Sequence, residues 1–337
     1  MAGKSGREIN AVPQDVWKKR ILSWEGILVI IFIAVLILCK GLNPDTYTIK
    51  NVFREMPKYL SEIFLFFPMA YILMMGEIDI SVGSIVCLAA TTGVLASNAG
   101  VPFVLVIVLS LLVGGICGAI NGAVITKFPE LPSMIVTLGT QIIYRGIAEI
   151  VLGDGGSASA KDTASYGLLT KRIGPFPWMF FLVVICAVVF VIISTRMKYG
   201  REIMAIGSNR KTSFYSGIKV SKDLFIAYVT MGVFSGIAAL FLTAASYGAN
   251  TTTGTGFEMD AIAMAVFGGI ATTGGKGKMI GGIIAAFIIV CLRIGLGQRN
   301  MNSQLILLII GVLLISAVLL PNISDAITAA KKKKAQA

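Results

Sequence analysis

The sequence predicts an all-α integral membrane protein, a polytopic bundle of about eight to ten transmembrane helices with both termini in the cytoplasm. Three observations carry this expectation. The 337 residues are 56% hydrophobic and 14% charged, with a mean hydropathy of +0.85, whereas soluble domains hold about 45–50% apolar and about 25% charged residues. Apolar runs of the length that crosses a hydrocarbon core of about 30 Å, about 20 helical residues, recur along the whole chain. Lys and Arg gather in alternate connections between those runs, which sets the orientation. Composition also excludes: the apolar excess argues against disorder, and 37 glycines without a period argue against a collagen-like chain. With no histidine, Ser-His-Asp and Cys-His catalysis and every His-ligated metal centre are removed.

Residues 1–23 form a polar, basic tail, and no small-residue cleavage site follows the first apolar run. That run, 24–42, therefore reads as a retained helix rather than a removed signal. Further runs follow at 60–75, 80–98, 101–126, 131–152, 178–195, 224–245, 258–272, 279–297 and 303–320, within one membrane domain spanning 24–320. The second and eighth are short, which predicts tilted, re-entrant or interrupted segments. Ten crossings with an internal amino terminus place the tail, Lys127, the Arg196–Lys222 group, Lys276, Lys278 and Lys331–Lys334 on the cytoplasmic side. A smaller outer set holds Lys40, Lys50, Arg54, Lys58, Lys161, Lys171, Arg172, Arg293 and Arg299, while Arg145 falls within a span. Residues 321–337 are a basic cytoplasmic tail.

Two connections are long. The outer one, 153–177, is rich in Gly, Ser and Ala and suits an external, periplasmic partner. The inner one, 196–223, is basic, and Gly207 and Gly217 punctuate a short helix between them. The net charge of +12 follows from this topology; no basic helix is interleaved with aromatics, so nucleic acid is not an expected partner. Cys39, Cys87, Cys117, Cys186 and Cys291 lie in or at the ends of apolar runs without CxxC spacing, as buried inert thiols do.

Gly274-Gly-Lys-Gly-Lys278 is no phosphate loop: a Walker pattern needs Gly where Ile270 stands and Ser or Thr where Gly277 stands, so a tight inner turn is expected. Any ATPase must be another chain. Ionisable residues in apolar spans are functional candidates by default. Glu77 and Asp79 lie between apolar runs in Gly76-Glu-Ile-Asp-Ile-Ser-Val-Gly83; either this is a turn whose Asp79 or Ser81 caps the third span, or a helix break aims polar groups at a solute path. Arg145 and Glu149, four apart on the fifth span, are expected to neutralise each other, with Gln141 one turn along the same face. Thr255-Gly-Phe-Glu258 has the form of a capping box, and Asp260 suits the same first turn; either carboxylate can also meet a solute at the outer mouth. Asn121 sits between Gly118 and Gly122, where helices approach closely and interhelical hydrogen bonding is expected. Phe64, Phe66 and Phe67 are read as lipid-facing as readily as solute-facing.

Several of these segments together resemble one family, the membrane-spanning permease subunits of bacterial ATP-binding-cassette (ABC) importers for ribose and related monosaccharides, which includes autoinducer-2 permeases. The resemblance rests on Gly76–Gly83, Asn121-Gly122, Thr137-Leu-Gly-Thr140 with Arg145-Gly146, Gly207-Ser-Asn209 followed by Ser216-Gly-Ile218, and Thr253–Ala263 continuing through Gly268-Gly269 and Gly274–Gly277. In order and spacing these pieces cover residues 60–320, and the Ser-Trp-Glu-Gly opening with Gly-Glu-Ile-Asp leans toward rhamnose-type members. The resemblance implies a multi-pass protein of the bacterial inner membrane without its own ATPase site. It implies a second permease copy or homologue, cytoplasmic ATPase partners that use ATP, and a periplasmic or lipid-anchored sugar-binding protein. It also makes 196–223 the ATPase-coupling loop, with Gly207, Asn209, Ser216, Gly217 and Ile218 in it, and makes Glu77, Asp79, Asn121, Gln141, Arg145, Glu258 and Asp260 candidates for the translocation path. The family usually has small apolar residues after the Asn, whereas Arg210-Lys-Thr-Ser-Phe214 stands here, implying a particular ATPase partner or looser packing. An ion-coupled secondary carrier for a small polar solute is the alternative function.

Overall fold

The computed structural model describes residues 23–302, 304–313 and 315; the tails 1–22 and 321–337, and most of the tenth run beyond 313, lie outside the described residues. Ten helices correspond to the ten apolar runs: α1 (Trp24–Leu42), α3 (Pro57–Met74), α4 (Val82–Asn98), α5 (Phe103–Lys127), α6 (Ser133–Leu152), α8 (Trp178–Arg196), α11 (Val220–Ser246), α12 (Phe257–Phe267), α13 (Met279–Gln298) and α14 (Gln304–Leu313). Among the described residues, six are long and apolar enough to cross a membrane unaided: α1, α5, α6, α8, α11 and α13. Between them lie α2 (Ile49–Glu55), α7 (Thr163–Leu169), α9 (Lys198–Ser208) and α10 (Arg210–Tyr215). Two antiparallel ribbons complete the fold: β1 (Ser157–Ser159) pairs with β4 (Gly248–Asn250), and β2 (Arg172–Ile173) pairs with β3 (Phe176–Pro177).

α3 is the axis of the bundle. Every residue from Leu60 to Met74 is buried, against α8, α11, α12 and α13. Phe64, Phe66 and Phe67 are thus core rather than lipid-facing, with Phe64 stacked on Phe241 at 5.4 Å. Their all-round burial follows from the position of α3, not from an amphipathic pattern.

α5 and α11 cross at backbone contact. A Cβ on Gly114 would lie 2.1 Å from the Gly232 carbonyl oxygen, and one on Gly118 2.3 Å from that of Tyr228. Only glycine permits this approach, and small residues are what bring helices together in lipid, where no hydrophobic force drives association. α5, α6 and α8 expose Leu112, Ile116, Ile142, Ile150, Ile185 and Val188, as lipid-facing spans do.

The eighth run departs most from expectation. α12 has 11 residues, about 16 Å at 1.5 Å per residue and roughly half the hydrocarbon thickness. The chain before it is not an external loop. At the far end of α4, the Asn98 side chain donates to Ser159 O and accepts from Lys161 N, both at 2.8 Å. From there β4 runs back beside α4: Cys87 Sγ donates to Asn250 O at 3.4 Å, and a Cβ on Gly83 would lie 2.3 Å from Gly254 O. Since Gly83 to Asn98 is about 22 Å of helix, residues 248–256 descend into the bundle. α12 therefore starts beside the N-terminal end of α4, and its C-terminal end is held by Trp24 Nε1, which donates to Phe267 O at 3.1 Å.

Candidate functional site

The descending strand encloses a polar vestibule of about 390 Å³, lined by Ser157, Ser159, Ser246, Asn250, Thr252 and Phe257 among others, with no charged side chain in its wall. Its floor is braced by Arg145, whose Nη1 donates to Thr251 O at 2.9 Å and Thr253 O at 2.8 Å. The expected Arg145–Glu149 pair is not formed: the re-entrant carbonyls solvate the guanidinium, and Glu149 is exposed on α6. Gln141, half-buried on the same helix, lies outside this set of contacts. In the 153–177 connection, the Asp162 carboxylate caps α7 by accepting from Ser165 N at 3.0 Å, and the Ser165 hydroxyl and then its backbone N–H hold that carboxyl below its ordinary range.

Thr255 does not cap α12. Gly256, at φ +87°, occupies the cap position without a side-chain bond, because the tight re-entrant turn demands a left-handed residue there. Glu258 is buried at the start of α12, its Oε2 without a partner, close to where Gly83 leaves room. Asp260 points the other way, to Arg293 on α13.

Arg293 is the hub of an ion triad: its Nη1 donates to Glu62 Oε2 at 2.6 Å and its Nη2 to Asp260 Oδ1 at 2.5 Å. The side chains are 9%, 6% and 19% exposed, so all three charges are taken out of water. The triad pins the half-length α12 to α3 and α13. Sequence reasoning missed Glu62 and set Arg293 at an outer helix end, although each is a lone charge in an apolar run, which is the signal that marks such residues.

Residues 75–81 form a non-helical connection between α3 and α4, exposed at Gly76, half-buried at Glu77 and Ile78 and buried from Asp79 onward. Its amides are met by α6 hydroxyls: Ile78 N donates to Ser133 Oγ at 3.2 Å and Ile80 N to Thr137 Oγ1 at 3.1 Å. Asp79, fully buried, accepts from Ser81 N at 2.9 Å and Ser81 Oγ at 2.6 Å. Asn121 Nδ2 donates to Ser81 Oγ at 2.8 Å, and Tyr144 Oη donates to Asn121 Oδ1 at 3.1 Å. Asn121 thus makes the interhelical bonds its small neighbours predict. Ser81 makes no side-chain cap for α4, because its hydroxyl is engaged by Asp79 and Asn121.

At the opposite end from the vestibule, the 196–223 loop folds against this connection. A Cβ on Gly207 would lie 1.9 Å from Met74 O, and Gly275 N donates to Met74 O at 2.8 Å, so three backbone segments meet where no side chain fits. Arg210 Nη1 reaches Glu77 Oε1 at 2.8 Å. Gly207 lies within the last turn of α9, and the short helix between the two glycines is α10. Asn209 caps α10 by accepting from Thr212 N at 2.9 Å, and Gly217, at φ +83°, closes it. Ser216 Oγ donates to Thr212 O, and Ile218 N to Ser213 O. Phe214 and Tyr215 stand out from it, 66% and 86% exposed. Among the described residues, no group of three or more His, Cys, Asp or Glu side chains can hold a metal ion.

A family profile described as "Branched-chain amino acid transport system / permease component" matches residues 59–318. The chain belongs to this permease family. It is similar to the D-allose transport system permease protein AlsC of Escherichia coli (strain K12), with 32% identity covering 89% of this chain and 92% of that protein. It is 31% identical to the autoinducer 2 import system permease protein LsrD of Photorhabdus laumondii, over 89% and 92% of the two chains. It is 34% identical to the ribose import permease protein RbsC of Bacillus subtilis (strain 168), over 86% and 90%. No solved structure matches it. The chain is therefore a multi-pass membrane permease subunit of the ABC importer type, a transport component rather than an enzyme.

Proposed function

We propose that this permease forms the path for a neutral polyhydroxylated solute, a monosaccharide of the ribose, allose or rhamnose kind or a related molecule such as autoinducer 2. The observation that carries the reading is the vestibule: hydroxyl and amide groups around an uncharged cavity, two aromatic side chains at Tyr247 and Phe257, and a half-length helix starting at its base. Such a wall exchanges hydrogen bonds with a polyol without holding it tightly, which suits a conduit whose selection is made elsewhere. Discontinuous spans that meet inside a bundle are a recurrent way to present backbone groups to a transported solute.

The proposed cycle has a binding protein, periplasmic or lipid-anchored, docking over residues 153–177 and releasing solute into the vestibule. Cytoplasmic ATPase subunits, which use the ATP, seat α10 in a groove, with Phe214 and Tyr215 as anchors. Both termini are cytoplasmic in this scheme, the 196–223 loop is the coupling segment, and a second permease copy or homologue completes the path within the lipid. Movement of α10 reaches the path through Arg210–Glu77 and the Gly207–Met74–Gly275 junction, since these connect it to the Asp79 network and to the turn after α12. The ion-coupled carrier is not favoured: the relatives are import permeases, and Asp79 is fully buried and bonded to Ser81.

The test is a mild-detergent purification of the tagged chain from its native membrane, with mass spectrometry of what accompanies it. Recovery of a P-loop ATPase together with a sugar-binding protein is expected. Recovery of the chain alone, stable and monodisperse, would contradict the proposal.

A further inference from the structure

The outer cationic residues Lys50, Arg54, Lys171 and Arg172 are not explained by the orientation rule, and the transport path does not use them. Three of them lie beside an apolar pocket on the flank of the bundle: Lys50 and Arg54 next to its lining residues Ile49 and Phe53, and Arg172 bonded to Arg54 O. α2 is a two-faced helix: Ile49, Val52 and Phe53 face inward to the pocket, while Lys50, Asn51 and Arg54 occupy the other side. Ile49 is 73% exposed at the rim, a wasteful position in water and a favourable one at a membrane surface.

Beneath α2 the pocket measures about 540 Å³, within the ~300–1,000 Å³ of ligand sites. Its walls are Phe32 and Leu36 of α1, Phe180 of α8 and Phe287 of α13, all from helices that run through the bilayer, so the pocket lies at the flank of the spans. The polar side chains in the wall are already engaged: Tyr47 Oη donates to Cys291 O at 3.5 Å, and Thr48 Oγ1 accepts from Asn51 N at 3.3 Å. Nothing in this wall recognises a polar solute. The wall is apolar and the rim is cationic.

The β2–β3 hairpin completes the rim. Arg172 Nη2 donates to Arg54 O at 3.3 Å, which places a second guanidinium over the C-terminal end of α2. Glu55 is already engaged by Arg54 and by Lys58, at 3.4 and 2.5 Å, whereas among the described residues neither Lys50 nor Arg172 has a carboxylate partner. Phe53 packs edge-on against Phe176 and Phe180, at 4.5 and 5.2 Å, fixing helix and hairpin together above the pocket.

We propose that this pocket is a binding site for one anionic phospholipid, an acyl chain filling the cavity beneath α2 and the headgroup phosphate held by Lys50, Arg54 and Arg172. The chain length of an acyl tail suits a carbon-lined cavity among membrane spans, and Lys50 and Arg172, the two cations of the three without a carboxylate among the described residues, select a negative headgroup over a zwitterionic one. The site is independent of the solute path and of the proposed substrate.

The experiment is native mass spectrometry of the full-length chain, released from detergent after titration with phosphatidylglycerol or with phosphatidylcholine of the same acyl chains. One tightly retained phosphatidylglycerol per copy is expected. Phosphatidylcholine should bind roughly twenty-five-fold more weakly, since each of the two unpaired basic side chains near an anionic headgroup contributes about fivefold. The exposed triple variant Lys50→Gln, Arg54→Gln, Arg172→Gln should lose the preference while keeping its folding and oligomeric mass. Val52→Trp, which fills the cavity, should lose retention of both lipids. Equal retention of the two lipids by the unmodified chain, or unchanged retention by both variants, would overturn the proposal. A fall in oligomeric mass with Val52→Trp would also overturn it, by showing the pocket to be a contact between copies.

Discussion

Removing the guanidinium of Arg293 is the most informative single change in the bundle. It makes two charge-assisted bonds, 2.6 Å to Glu62 and 2.5 Å to Asp260, and the three side chains are almost entirely withdrawn from water. Arg293→Met keeps the apolar stem and leaves two carboxylates buried side by side with no cation. Loss of one partner from a buried ion group costs about 3–5 kcal/mol, most of it the uncompensated charge left behind. At about 2 °C per kcal/mol for a chain of this size, the apparent Tm should fall by about 6–10 °C. The assay is thermal unfolding of the detergent-solubilised chain, read by size-exclusion fluorescence. Adding Glu62→Met and Asp260→Leu removes the orphaned charges, and an apolar replacement of a whole buried ion group is commonly neutral or stabilising. The triple variant should therefore regain most of the lost Tm. A single variant within about 1 °C of the unmodified chain, or a triple variant no better than the single, would refute the triad as the tie between α12 and the core.

Three further outcomes follow from the geometry. Asn209→Ala removes the cap of α10, costs about 1 kcal/mol of local helix stability, and should raise ATP hydrolysis per solute imported, measured in reconstituted vesicles, without reducing membrane insertion. Gly207→Ala places a methyl 1.9 Å from Met74 O, so the α9 junction must open; uptake should be lost while α10 still forms, and normal coupled uptake would contradict the junction. Tyr144→Phe leaves Asn121 Oδ1 without its donor and takes from Cys117 O its side-chain partner; at about 1–3 kcal/mol for an unmet buried group, the Tm should drop by about 2–6 °C at the same scale.

The spans were legible because apolar length is a direct consequence of crossing lipid, and a short helix between Gly207 and Gly217 was legible because glycine breakers act locally, although the Asn209 cap that starts it was not read. The re-entrant segment was not. Thr251–Gly256 has the polar, glycine-containing composition of any external connection, and its descent is set by carbonyls that meet Arg145 and by the space left at Gly83, neither of which has a periodicity. The same local signal misled at Thr255, where the capping-box spacing is present but the turn requires Gly256 in the cap. Arg145 and Glu149 show the limit of helical spacing: four residues apart puts two side chains on one face, yet the guanidinium turned toward backbone oxygens of another segment. Glu62, Asp260 and Arg293 come from three separate runs, and nothing within a run names its partner. At Gly76–Gly83 the sequence identified the segment without its resolution, because the hydroxyls that satisfy it lie on α6, more than 50 residues away.

The most direct test of the central claim is uptake of a labelled monosaccharide into vesicles holding the chain with its copurifying ATPase and binding protein. The account predicts accumulation that requires ATP inside the compartment bearing the 196–223 loop, requires the binding protein on the other side, and is indifferent to an imposed proton or sodium gradient. Accumulation driven by such a gradient with ATP absent would contradict it.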